Sequence, residues 1–98
     1  MILALDFRIE AENELDQAFQ WYQKRRDGLG LSFLRCVEES LERIRRSPES
    51  YPVVYRHVRQ VLVRRFPFAI YFVTDVEAVA IIAVFHSSRD PSSWQLRV

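Results

Sequence analysis

The side chains best suited to chemistry gather at two points of the chain. His86-Ser87-Ser88-Arg89-Asp90-Pro91 follows a long apolar run, with Trp94 shortly after, and Arg64-Arg65 precedes Phe66-Pro67. Histidine titrates near neutral pH, so His86 could give or take a proton. Arginine holds phosphate and carboxylate through a planar fork, so Arg65 and Arg89 could clamp an anion. On an RNA ligand these three would supply a base or acid and the cations that neutralise a phosphorane. The competing assignment is structural. In it His86 is a polar residue at a strand end, Arg89 pairs with Asp90 to fix a C-terminal turn, and Arg64 and Arg65 are solvated. Spacing alone favours this second assignment.

Other catalytic patterns are missing. The two glycines, Gly28 and Gly30, leave no phosphate-cradling loop, and neither GxSxG nor HExxH occurs. His57, His86 and Cys36 do not make a convincing metal site, and no cofactor is expected. Cys36, the single cysteine, reads as a small core or boundary residue and suits a reducing cytoplasm. His57, between Arg56 and Arg59, reads as an exposed loop or edge residue. Trp21 lies off the centre of a buried helical stripe, at a boundary or a protein contact.

The elements that must position these residues follow from periodicity. Leu3, Leu5, Phe7 and Ile9 alternate with Asp6 and Arg8, the pattern of a half-buried strand. Glu10, Glu12, Glu14 and Asp16 then suit the first turn of a helix. Leu15, Ala18, Phe19 and Tyr22 form its apolar stripe, and Gly28 its stop. A second stripe, Phe33, Leu34, Val37, Leu41 and Ile44, begins at once and ends at Ser47-Pro48, predicting an antiparallel helical hairpin. Glu39–Arg43 and Glu42–Arg46 are favourable pairs on its outer face. Pro48 to Pro52 is an irregular linker pinned by Tyr51.

The period then returns to two. Val54 to Arg65 reads as one strand and Phe66 to Val73 as another. Asp75-Val76-Glu77 is a polar turn. Val79 to Phe85 is apolar on both faces, as a central strand covered on each side would be. The order β-α-α-β-β-β predicts a two-layer α+β sandwich, with the hairpin on a mostly antiparallel sheet and the first strand beside the last.

Composition bounds the function. With 98 residues, 49% of them hydrophobic and 28% charged, residues 1–98 read as a single globular domain. No stretch approaches a membrane span, and the start is not a secretory signal. The formal charge is +1, divided as −2 over the first 55 residues and +3 over the remainder. Bulk charge therefore does not drive the chain onto a polyanion.

The frame LDQAFQWYQKRRDGLGLSFLRCVEESLERIRRSPESYPVV, then VRRFPFAIYFV and VAIIAVFHSSRDPSSW, resembles the RelE/ParE superfamily of bacterial type II toxins, often described as plasmid-stabilisation proteins. Its most specific pieces are the Trp21-to-Phe33 stretch W-Y-x(5)-G-L-G-x-x-F, the S-P-x-x-Y-P linker, R-R-F-P-F, and the closing F-H-x-x-R-D-P-x-x-W. The resemblance covers nearly the whole chain and implies the same order of elements.

It also implies an intracellular poison neutralised by a cognate antitoxin, as a hetero-oligomer or with a homodimeric toxin. RelE-like members cut mRNA on the ribosome; ParE-like members inhibit DNA gyrase. By position, Arg65 matches a basic residue before the central strand, and His86 and Arg89 match polar residues closing the last one. These would be catalytic only in a RelE-like enzyme. Arg64, Arg65, Arg89, Trp94 and Trp21 are the expected contacts to target or antitoxin. The chain has no tyrosine after Tyr71 and is barely basic, which places it on the ParE side. A ribosome-dependent endoribonuclease and an inactive antitoxin-binding member are the alternatives.

Overall fold

The computed structural model describes residues 3–98; Met1 and Ile2 lie outside the described residues. The first strand, β1, is Ala4–Phe7, with Leu5 and Phe7 turned inward. It stops two residues earlier than its alternation suggests. Ile9 opens helix α1 (Ile9–Arg25) and is 73% exposed. The switch occurs at Arg8, whose N–H reaches the Ile81 carbonyl while its own carbonyl accepts the Glu12 N–H, starting the helical ladder. Glu10 and Glu12 lie in the first turn of α1, and Lys24 and Arg25 in its last, as the helix dipole favours.

Helix α2 (Leu29–Arg46) follows after three residues. Gly28 does adopt the left-handed conformation, at φ +86°, but it opens α2 instead of closing α1. Gly30 is needed for close approach. A Cβ there would lie 2.9 Å from the Phe19 ring and 2.8 Å from Gln23 Oε1, which already accepts the Gly30 N–H at 3.0 Å. On the outer face of α2, Glu42 meets Arg45 and Arg46 at 3.7 and 3.8 Å. Glu39 turns to Arg64 at 3.4 Å and not to Arg43.

A single 3-10 turn (Pro48–Ser50) forms the linker, and Tyr51 packs edge-on against Phe72. The stretch read as one strand from Val54 to Arg65 is two, β2 (Val53–Tyr55) and β3 (Val58–Leu62). They fold back at Arg56-His57, where Arg56 takes φ +52° without the usual glycine or asparagine. His57 is exposed at this tip. Strand β4 (Phe68–Thr74) starts two residues late because Arg64 to Pro67 turn, closed by a Val63 N–H to Phe68 carbonyl bond and by Arg65 at φ +69°. Asp75 then caps a tight turn by accepting the Glu77 and Ala78 N–H groups at 2.8 and 2.9 Å.

Strand β5 (Ala78–His86) completes a five-stranded sheet ordered β1-β5-β4-β3-β2. Among the strands of the described residues, β1 and β5 alone run parallel. The architecture is α+β, two layers, with the first strand beside the last. Both faces of β5 are covered, for a specific reason. Its register against β4 passes from Tyr71 opposite Ala83 to Phe72 opposite Ile81, leaving Ile82 as an extra residue. This bulge reverses which residues face which side. Val79, Ile81 and Val84 join the core under the helical hairpin with Phe33, Val37 and Ile44. Ala83 and Phe85 join a second core on the opposite face with Val58 and Trp94. Each large side chain so buried contributes roughly 1.5–3 kcal/mol.

A short terminal helix, α3 (Ser92–Gln95), covers that second face. No helix of the described residues is long and apolar enough to cross a membrane.

Candidate functional site

Strand β1 ends opposite Ile81, whereas β5 continues to His86. Among the described residues the outer edge of β5 beyond Ile81 therefore has no strand beside it, and its backbone groups need other partners. Side chains supply them. Glu14, one turn into α1, accepts the Val84 N–H through Oε1 at 3.1 Å. Arg97 donates from Nη1 to the Ile82 carbonyl at 3.1 Å. The two side chains also grip each other in a bidentate pair, with Nη1–Oε1 at 3.1 Å and Nη2–Oε2 at 2.7 Å. Hydrogen bonding to the Glu14 carboxylate raises the Arg97 guanidinium above its ordinary pKa.

Arg89 completes this clasp. Its Nη1 is 3.6 Å from Glu14 Oε2, and its guanidinium lies 3.9 Å above the Phe85 ring. It does not pair with Asp90. Asp90 instead accepts the Ser92 N–H at 3.0 Å at the start of α3, which holds its carboxyl below the usual range. His86 is fastened locally. Its Nδ1 accepts the Ser88 N–H at 3.0 Å and lies 2.8 Å from Ser88 Oγ, and its ring meets Phe68 edge-on. In the neutral ring the proton is thereby assigned to Nε2.

Between α1 and the unpartnered part of β5 lies a groove of about 430 Å³. Ala18, Tyr22, Phe68 and Val84 make its apolar lining, and Trp21 one wall. Glu14, Gln17, His86 and Arg89 supply its polar groups. Trp21 is 53% exposed and carries the Arg25 guanidinium 4.1 Å above its ring. Tyr22 packs on Phe33 and Phe66, and burial pushes its phenol pKa up. The groove thus combines an apolar lining, an exposed aromatic and a cationic rim, the make-up of a protein-binding surface.

The residues singled out from the sequence are not assembled in one place. His86 and Arg89 share the groove, with Trp21 beside them. Arg65 belongs to a separate recess with Arg26 and Arg35. Arg64 lies 3.4 Å from Glu39. Trp94 is corrected: it is 2% exposed, stacked on Tyr71 at 4.2 Å, and holds the second core together instead of presenting a contact. Among the described residues its Nε1 has no hydrogen-bond partner. Glu14 and Arg97 were not marked as site residues. The acidic run from Glu10 to Asp16 conceals Glu14, and no pattern links it to a residue 83 positions on.

Comparison with known proteins decides the family. The family described as "ParE toxin of type II toxin-antitoxin system, parDE" matches residues 5–91. The chain belongs to the ParE toxin family. The ParE-family assignment is shared by Toxin ParE2 of Mycobacterium tuberculosis, to which this chain is 25% identical over 88 residues. That alignment covers 89% of this chain and 84% of the relative, in both strains CDC 1551 / Oshkosh and ATCC 25618 / H37Rv. Among solved structures, the chromosomal ParDE TA system from P. aeruginosa has a chain that superposes on this ParE fold with a TM-score of 0.73. It is 18% identical, with coverage of 87% of this chain and 96% of that one. This chain is therefore a ParE-family toxin of a toxin–antitoxin system, with the α+β fold read from its sequence.

Proposed function

We propose that this toxin arrests growth by poisoning DNA gyrase, and that a cognate antitoxin neutralises it by filling the groove between α1 and β5. Residues 1–98 act as one toxin domain in the cytoplasm. The antitoxin contributes a segment that is disordered when free and orders on the groove. An apolar face of that segment packs on Tyr22, Phe68 and Val84, while its acidic residues meet Arg89 and Arg25. The groove is the observation that carries this reading: an apolar lining with cations at its margin fits an amphipathic acidic peptide.

A gyrase target is favoured over mRNA by the dispersal of the cations. An endoribonuclease needs base, acid and phosphate clamps around one scissile bond. Here Arg65 lines a different recess from His86 and Arg89.

The test is induction in growing cells with and without the neighbouring small gene. The expected result is arrest with altered plasmid supercoiling and a DNA-damage response, relieved by the neighbour. His86→Ala should remain toxic. Start-proximal mRNA cleavage abolished by His86→Ala would transfer the chain to the endoribonuclease class. Harmless expression with antitoxin binding intact would leave an inactive binding member.

A further inference from the structure

Three arginines from three separate elements line one open recess of about 420 Å³. Arg26 stands at the end of α1, held by a bond from its N–H to the Tyr22 carbonyl. Arg35 projects from the second turn of α2. Arg65 occupies the turn before β4 with its backbone at φ +69°, a conformation that a non-glycine residue adopts at a cost. None of the three forms an ion pair among the described residues. Glu39, the one carboxylate lining the recess, lies 3.4 Å from Arg64. Guanidinium groups cannot shed their charge at any ordinary pH. With Glu39 turned to Arg64, three exposed and unpaired cations are left to attract an anion from outside.

We infer that this recess is a docking site for phosphate groups of a nucleic-acid backbone. The choice of ligand follows from what the recess lacks. A peptide gains its affinity from apolar anchors in pockets, and here the apolar lining is confined to Leu29, Cys36 and Phe66, which are built into or against the core. Backbone binding needs only fixed cations facing solvent. The recess is also open, so it suits a group carried on a larger ligand more than a small molecule enclosed on all sides. A net charge of +1 makes the contact local: the chain touches a duplex at this corner and does not coat it. This site is separate from the antitoxin groove and stands whether or not gyrase is the target.

The test is fluorescence anisotropy of a labelled duplex of about 20 base pairs, titrated with the full chain at about 20 mM salt and upward. The expected result is weak binding that salt abolishes. Arg26→Ala, Arg35→Ala and Arg65→Gly should each weaken it about threefold or more, and each should lower the salt slope by about one. Arg65→Gly is suited to φ +69°, so it removes the charge without endangering the fold, as a thermal melt will verify. Arg46→Ala, at the far end of α2, should leave affinity and slope unchanged. RNA of the same length should bind comparably, as a site that reads only the backbone requires. An equal loss from Arg46→Ala, an absence of binding by the unaltered chain, or equally tight binding of an acidic peptide of matched charge would overturn the assignment.

Discussion

The carboxylate of Glu14 accepts the backbone N–H of Val84 at 3.1 Å, joining residues 70 positions apart. It does for the unpaired edge of β5 what a neighbouring strand would do. The same carboxylate is gripped by Arg97 and approached by Arg89, so helix, strand edge and C-terminal segment meet on two oxygens. Its side chain is only 10% exposed, so its loss strands partners that water reaches poorly.

Glu14→Ala should accordingly lower unfolding stability by about 2–3 kcal/mol, since it orphans the Val84 N–H and the Arg97 guanidinium together. Glu14→Gln keeps an acceptor for the N–H and should cost less. Urea midpoints of the two variants check this. Equal midpoints for the alanine variant and the unaltered chain would show that the clasp contributes nothing to the fold.

The two tryptophans should separate folding from binding. Trp94→Ala empties the second core and should cost about 3–5 kcal/mol of stability. Trp21→Ala removes an exposed ring and should change stability by no more than about 0.5 kcal/mol. In an antitoxin titration the order reverses: Trp21→Ala should weaken the complex about tenfold or more. Calorimetric melting and isothermal titration on both variants read the two effects.

Stability should decline on the acid side through two exposed carboxyls. Asp75 is held below its ordinary pKa chiefly by the Glu77 and Ala78 N–H groups, and Asp90 by that of Ser92. Both pKa values are lower folded than unfolded, so the unfolded chain takes up the protons first as pH falls. Their stabilisation is whole above the ordinary aspartate pKa of about 3.9 and is lost as pH drops through the lower folded values. Asp75→Asn combined with Asp90→Asn should flatten this acid limb in urea midpoints taken from about pH 6 to pH 2. An unchanged slope would show that neither cap matters.

Most of the architecture was legible because it rests on periodicity. The stripe from Phe33 to Ile44 is buried as spaced, and the Val79-to-Phe85 run is covered on both sides. Breaks without a local signal were not legible. Arg56 and Arg65 take left-handed turns where glycine or asparagine would have announced them, so one strand proved to be a hairpin. The bulge at Ile82 is invisible because Ile81, Ile82 and Ala83 are all apolar, and their alternation carries no information. The groove stayed hidden for a topological reason: Glu14 and Val84 lie 70 residues apart and meet where β5 runs on beyond the end of β1. His86 and Arg89 line one groove together, whereas Arg65 lies on another surface.

The parallel pairing of Ala4 with Ala78 has a consequence for biogenesis. Strand β1 cannot find its neighbour until β5 has been made, because long-range parallel pairing must wait for the intervening loop to close. The helical hairpin can collapse early, but the wall that β5 gives the groove cannot exist on a nascent fragment. Closure of the groove thereby waits on the synthesis of β5, and a ligand that needs this wall cannot seat before Ala78–His86 has been made.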